Sequence, residues 1–428
     1  MKISDVVYKS VEEVNEMPRF DLKELPKRAK WYLQLLAWVL SFPETFAVKS
    51  KIKRHNMDGL KGPYILLCNH NSFVDFKVAT RAIFPRRANY IVAVDGYINR
   101  EGLLRNVGGI LTRKFISDRV IVRQIKHSLE VNKVICEIYP EARYSLVGTT
   151  AMLPDSLGKL CKMMGYPVVS LISNGHHLRQ PYWNLNKRKV QTKSNITQIL
   201  NQEDIQSKSI DEINEIIRES FIYDDYKYQY DNKISITFED RAKGLHKALY
   251  QCPSCKKEFK MTSNKNKIWC EHCGKKYTMS EYGRLEAEEG TTEFPHIPDW
   301  FEWQRSEVKK QILTNNYNVS IDVHIDSLPN ATGFYRLGTG KLKHDKFGYH
   351  LIHEDGESVL SVKKPVLANY GVHVEFDYFG KGDCISFSTF DDTFYLFPVN
   401  QEYAVTKFHF ATEELFKIES ANKKVQDK

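Results

Sequence analysis

The sequence predicts an α/β domain with a mainly parallel sheet, followed by a four-cysteine module and a C-terminal all-β domain. Three observations predict it. Short apolar runs alternate with helix-length segments between residues 64 and 173. Two C-x-x-C pairs lie close together after residue 250. From about 319, strand-like segments recur between Gly, Asp and Asn turns. At 428 residues the chain exceeds one ordinary core, so several domains are expected. The expected divisions are 1–60, a basic and amphipathic N-terminal segment, and 61–250, the α/β domain. The cysteine module at 251–282, a linker and helix at 283–318, and the β-rich domain with a final helix at 319–428 complete the chain.

Residues 1–60 read as helical and basic. No signal-peptide pattern is read in residues 1–20, which mix Lys2, Asp5, Glu12 and Glu13 without an apolar stretch. The run WYLQLLAWVLSF at 31–42 is shorter than the ~20 residues that span a bilayer. Lys27, Arg28 and Lys30 precede it, and Lys49, Lys51, Lys53 and Arg54 follow. Aromatics and leucines between basic clusters suit a helix lying in a membrane interface, and a buried core helix is the other reading. The net charge of +9 favours an anionic partner: acidic lipid, an acidic carrier protein or nucleic acid.

Buried strands are expected at YILLC (64–68), NYIVAV (89–94), within VNKVICEIYP (131–140), and at YPVVSLIS (166–173), because continuous apolar runs fit a sheet covered on both faces. A polar alternating stretch at 188–199 reads as an edge strand. Ser209 with Glu212 forms a capping box, and Ile210, Ile213, Ile216 and Ile217 give the next helix an apolar face. A further helix is expected over 239–250. Helical spacing resumes in DWFEWQRSEVKKQIL after Pro295 and Pro298. The tail closes on an amphipathic helix at 401–419 with Val405, Phe408, Leu415 and Phe416 as buried positions. Several strands closed by one helix resemble, in architecture alone, a pleckstrin-homology or GRAM-like barrel.

The chemistry concentrates in LLCNHNSFVDFKVA at 66–79. An apolar strand ends at Asn69 and His70, and Asp75 follows with four residues between. Histidine has the right affinity for a proton to deprotonate an attacking hydroxyl, and a carboxylate on its other ring nitrogen fixes the tautomer. A second H-x4-D, His350 with Asp355, lies in the β-rich tail and reads as coincidence.

The blocks Asn69 to Asp75, VGGILTRK (107–114), IYPEARYS (138–145) and YPVVSL (166–171) occur in the order found in the glycerolipid acyltransferase family, which the chain resembles over roughly residues 30–250. That family contains 1-acylglycerol-3-phosphate and glycerol-3-phosphate acyltransferases. The resemblance implies an O-acyltransferase of lipid metabolism and phospholipid biosynthesis, moving a fatty acyl group from acyl-ACP or acyl-CoA to a lipid-precursor hydroxyl. The acceptor it favours is a (lyso)glycerophospholipid, with a glycolipid or sugar hydroxyl as the alternative. His70 and Asp75 are then the catalytic pair, and Asn69, Arg113, Lys114, Glu141 and Arg143 are substrate-binding candidates. Backbone N–H groups near Gly108 and Gly109 are the candidate oxyanion donors. Ala142 stands where the family has Gly, Arg143 where it has Thr, and Tyr144 where it has Arg. His176 and His177, which follow the fourth strand, read as a solvated loop, with lining of the site mouth as the other reading. A non-catalytic lipid- or nucleic-acid-binding protein is the alternative function.

Cys252-x2-Cys255 and Cys270-x2-Cys273 have the spacing of a zinc ribbon. Four thiolates leave no coordination position for water, so the expected Zn2+ is structural. The other cysteines are scattered, which points to a reducing cytosol. The chain is therefore expected to be cytoplasmic and peripheral on the inner face of a membrane. Its expected partners are anionic lipid and an acyl carrier protein or CoA thioester. Nucleic acid is not expected, for want of a recognition helix or aromatic-basic motif.

Overall fold

The computed structural model describes residues 5–47, 49–116, 119–356, 358–400 and 405–426. Among the described residues of the N-terminal sixty, only part is helical. Helix α1 (Val11–Asn15) starts at a Ser10–Glu13 capping box. Helix α2 (Trp31–Ala47) is followed by a strand, β1 (Lys51–His55). Helix α2 is not a core helix. Trp31, Val39, Leu40 and Phe46 are each more than 60% exposed, and Tyr32, Leu35 and Leu36 are also exposed. Among the described residues, no helix is long and apolar enough to cross a membrane.

The four apolar runs form strands β2 (Ile65–Cys68), β3 (Ala88–Ala93), β5 (Ile135–Ile138) and β6 (Val168–Asn174). The Gly-rich block supplies one more, β4 (Gly109–Thr112), and the polar stretch supplies β7 (Lys193–Leu200). The sheet order is β1-β7-β6-β2-β5-β3-β4. Strands β2 to β6 run parallel, whereas β7 runs antiparallel to β6 and carries β1 parallel to itself. The sheet is therefore mixed, and β7 is an interior strand rather than an edge. Its alternating pattern reflects one covered face, which an interior strand shares with an edge.

Helices α3 (Asp75–Ala82), α4 (Glu101–Asn106), α5 (Arg119–Glu130) and α6 (Ser156–Met164) connect the parallel strands. Four more follow: α7 (His176–Arg179), α8 (Gln202–Ser207), α9 (Ile210–Ser220) and α10 (Asp225–Asp231). Helix α9 begins at the expected capping box and buries Ile213 and Ile217, while Ile210 faces out. The helix expected over 239–250 does not form beyond a short 3-10 turn at Leu245–Lys247. Gly244 interrupts it with φ 93°, and a Cβ there would lie 2.3 Å from the Trp183 carbonyl oxygen.

The cysteine module folds as strands β8 (Met261–Asn264), β9 (Lys267–Cys270), β10 (Lys276–Met279) and β11 (Leu285–Ala287). Helix α11 (Ile297–Leu313) leads into an antiparallel sheet of β12 (Val319–Ser327), β13 (Tyr335–Asp345), β14 (Gly348–Asp355), β15 (Ser358–Pro365), β16 (His373–Glu375), β17 (Cys384–Ser388) and β18 (Thr393–Pro398). Its order is β15-β14-β13-β12-β18-β17-β16. Helix α12 (Val405–Gln426) closes it, with Val405, Phe408 and Leu415 buried and Phe416 half-buried. One apolar cluster runs from Val11 and Val14 through Trp183, Tyr226, Ile268 and Tyr277 to Trp300, Val323 and Phe408. The cysteine module thus sits within a shared core, where burial of large apolar side chains stabilises each by roughly 1.5–3 kcal/mol.

Candidate active site

In a parallel sheet, the loops after neighbouring strands meet at the carboxyl edge. Here β2 and β6 are neighbours, and the loops leaving them carry His70 and His176 to the same carboxylate. The His70 Nδ1 lies 3.0 Å from Asp75 Oδ2, and the His176 Nδ1 lies 2.5 Å from Asp75 Oδ1. Asp75 is the first residue of α3, where the helix dipole favours negative charge. It also accepts the Asn71 and Ser72 N–H groups at 2.6 and 2.9 Å. Burial pushes its carboxyl up, but the bonds from His176 and His70 outweigh that and hold it at about 2. Burial lowers the His70 pKa against the opposing Asp75 contact, so the imidazole is neutral near pH 7. The His70 side chain keeps 21% of its surface exposed, whereas His176 is fully buried.

The IYPEARYS loop wraps His70. The rings of Tyr139 and Tyr144 lie 4.3 and 3.9 Å from the imidazole centroid, holding it between two aromatic faces. The Ser145 N–H donates to the His70 carbonyl at 2.8 Å. Glu141 is buried and accepts the Tyr223 hydroxyl at 3.1 Å, with the His70 N–H at 3.4 Å. Burial pushes its carboxyl up to about 7 despite the Arg143 charge. Ala142 takes φ 54°, a left-handed backbone that favours Gly, the residue of the resembled family at that position.

The expected headgroup cations are engaged elsewhere. Arg113 donates to the carbonyls of Phe390 and Asp391 at 2.8 and 2.7 Å. Arg143 pairs with Glu413 of α12 at 2.9 Å, both side chains buried. Lys114 lies 2.7 Å from His373 Nε2 and 3.9 Å from Asp95, as the cation in a cluster that includes Glu375. All three are bound by residues of the C-terminal domain, which the α/β sequence alone does not place against them. Asn69 exchanges two hydrogen bonds with the Ser173 backbone, at 3.0 and 2.9 Å, fastening β2 to β6. Gly108 and Gly109 lie at the amino end of β4, across the sheet from His70, so the oxyanion expectation there fails. His177, like His176, is buried rather than solvated, because both open a short helix packed on Asp225.

No protein-family model matches the chain, and no curated protein matches it. Among solved structures, the 1-acyl-sn-glycerophosphate (LPA) acyltransferase PlsC from Thermotoga maritima is similar at 16% identity and a TM-score of 0.36. The likeness covers 44% of this chain and 79% of that one.

The second site is the cysteine cluster. Sγ of Cys252 lies 3.7 Å from that of Cys273, and Sγ of Cys255 lies 3.8 Å from that of Cys270. All four sulfurs lie within 4.8 Å of one another. A tetrahedral ion with bonds of about 2.3 Å to sulfur has edges of about 3.8 Å, so the donor set fits zinc. The two knuckles are copies. In each, the first cysteine's N–H donates five residues on (Lys257, Lys275), and its carbonyl accepts from the residue four on (Lys256, Gly274). Lys256 and Gly274 both take positive φ, 64° and 76°. Cys68, Cys136, Cys161 and Cys384 are buried apart from this cluster.

Proposed function

We propose that the chain is an O-acyltransferase acting on lipid precursors at a membrane surface. The observation that carries this reading is a neutral, partly exposed His70 whose Nδ1 is held by the ionised Asp75. With Nδ1 donating to Asp75, Nε2 takes the proton from the acceptor hydroxyl. The hydroxyl oxygen attacks the acyl thioester of acyl-ACP or acyl-CoA and forms a tetrahedral oxyanion. Its collapse breaks the C–S bond, the imidazolium returns the proton to the leaving thiolate, and an ester and a free thiol result.

A (lyso)glycerophospholipid is the acceptor the motifs favour. The engagement of Arg113, Lys114 and Arg143 by the β domain favours instead an acceptor with no phosphate in the cleft, a glycolipid or sugar hydroxyl, and that is the acceptor proposed. The apolar face of α2 is the membrane-docking element. Glu44 ties it to the α/β domain through Lys77, Arg179 and Lys187, so it lies beside α3, which begins at Asp75. The chain is then peripheral on the cytosolic face, and zinc in the cysteine cluster is structural.

Lipid mass spectrometry of cells carrying wild-type or His70→Ala protein tests the reading. An acylated lipid present with the first and absent with the second is expected. Indistinguishable lipid profiles, or a purified His70→Ala protein that still transfers acyl groups at the wild-type rate, overturn it. Acceptor trials of a lysophospholipid against an uncharged glycolipid decide the finer point.

A further inference from the structure

The cations near His70 are held by the C-terminal domain, whereas two arginines elsewhere each give one Nη to a backbone carbonyl and line a cavity. A cavity of about 270 Å3 opens at the far end of α3. It is lined by Arg54 on β1, Tyr64 just before β2, and Phe84 and Arg86 just after α3, with Met57 and Asp58 at its side. Arg54 gives one Nη to the Ala82 carbonyl at 2.6 Å, and Arg86 gives one to the Leu60 carbonyl. Among the described residues neither guanidinium forms an ion pair, and Arg86 Nη1 is buried without a hydrogen-bond partner. Two guanidiniums against the single carboxylate of Asp58 leave the cavity positive. Burial pushes the Tyr64 phenol up to about 12, against the pull of Arg86 and Arg54, so its hydroxyl stays a neutral donor.

The cavity adjoins the apolar face of α2. Phe84 is 46% exposed, and its ring packs 4.8 Å from Trp38 and 5.4 Å from Phe42 of that helix. On the other side β1 presents Lys51, Lys53 and His55 to solvent. An apolar helix face, a forked pair of guanidiniums and an exposed basic strand are thus continuous. Guanidinium forks match phosphate oxygens, and basic groups beside an apolar face match the boundary of an anionic bilayer.

We propose that this cavity binds the phosphate of an anionic membrane lipid, with Arg54, Arg86 and Tyr64 as its donors and the lipid chains against Phe84 and α2. The site is remote from His70, so it holds the protein on its membrane and does not present the acceptor hydroxyl. The proposal adds a headgroup site to the docking of α2 and rests on that part of the reading alone. It does not depend on acyl transfer.

Co-sedimentation of the full chain with phosphatidylcholine vesicles, with and without phosphatidylglycerol, tests it. Each basic group near an anionic surface is worth about a fivefold factor, so Arg54→Ala with Arg86→Ala should weaken binding to the anionic vesicles roughly thirtyfold. Binding to pure phosphatidylcholine should be unchanged. Arg54→Lys with Arg86→Lys keeps the charge but not the fork, and should fall between the two. Equal binding by the double alanine variant, with its thermal unfolding unaltered, overturns the site. If that variant binds normally while Leu36→Glu with Val39→Glu abolishes binding, docking by α2 survives and the headgroup site does not. If inorganic phosphate binds with the same arginine dependence but vesicle binding ignores the arginines, the ligand is a soluble phosphate and the lipid proposal is overturned.

Discussion

Two regions carry the same H-x4-D spacing and do different things with it. At 70–75 a strand has just ended, the chain turns, and Asp75 opens a helix that returns its carboxylate to within 3.0 Å of the His70 ring. At 350–355 both residues belong to β14, where five residues advance the chain about 16–17 Å. His350 bonds Ser361 on the neighbouring strand, and its Nε2 lies 3.1 Å from that hydroxyl. Spacing carries chemistry only through the backbone between the residues. The cysteine knuckles show the opposite limit, where a C-x-x-C pair fixes its own turn and needs no distant partner to bring two sulfurs together.

The strongest way to break this comparison is to treat both pairs alike. Asp75→Asn should lower kcat a hundredfold or more, because the imidazole loses its tautomer control and the imidazolium its counter-charge. Asp355→Asn and His350→Ala should leave kcat within about twofold, since extended backbone separates the two positions along β14. His176→Ala sharpens the same point. His176 touches Asp75 and is fully buried, so in the proposed mechanism it would act as a positioning residue. Its loss should lower kcat about tenfold with KM little changed, and should move the acid limb of the pH–rate profile. That limb should lie below the ordinary histidine range in the wild type, because burial favours neutral His70. A rate that ignores Asp75, or falls equally with Asp355, would remove the dyad from the mechanism.

The cysteine knuckles give the next largest effect. Purified protein should carry one zinc per chain, and Cys252→Ser and Cys270→Ser should each lose it. Chelation should expose 252–280 to protease first, as the two knuckles lose the ion that holds their four sulfurs together. The shared core ties this module to α11 through Trp300, whose indole N–H donates to the Gln251 carbonyl at 2.9 Å, and to α12 through Lys407 and Glu258. Loss of zinc should therefore loosen the β domain as well. Full zinc in both variants would refute the site.

What was legible in the sequence follows the same physics. The strands after 64, the capping boxes at Ser209 and the cysteine knuckles are set by contiguous residues, and the structure has them. The tie of His176 to Asp75 is not legible, because it depends on β6 lying beside β2 in space. The sequence signal is an HH pair directly after an apolar strand; that this strand lies beside the one ending at His70 is set by the sheet order and not by the chain order. Arg113, Lys114 and Arg143 belong to the α/β blocks, and their partners Asp391, His373 and Glu413 lie more than 250 residues away in sequence. The helix expected at 239–250 yields to one left-handed glycine against the Trp183 carbonyl, a close approach that no local pattern announces.

The smallest effect separates two buried carboxylates below His70. Asp75 has four donors and is held at about 2; Glu137 has the Tyr139 hydroxyl at 2.7 Å, and burial pushes it up to about 7. For Glu137 the folded state binds the proton more tightly than the unfolded chain, whose carboxyl titrates near 4.5. Its contribution to stability is therefore full below pH 4.5 and declines as the pH rises from there to about 7. The slope is at most about 1.4 kcal/mol per pH unit from one group, so the total is of the order of 1–3 kcal/mol. Glu137→Gln keeps the side chain's shape and removes the titration. Measured by urea midpoint, the variant should gain on the wild type between pH 5.5 and pH 8, with the difference small at the acid end. Asp75→Asn should show the reverse sign, losing stability throughout that range, since a carboxylate held at about 2 stabilises the fold wherever the unfolded group is ionised. If the Glu137→Gln difference is flat across pH, the carboxyl is already ionised in the folded protein, and Asp75 then shares the interior with a second negative charge.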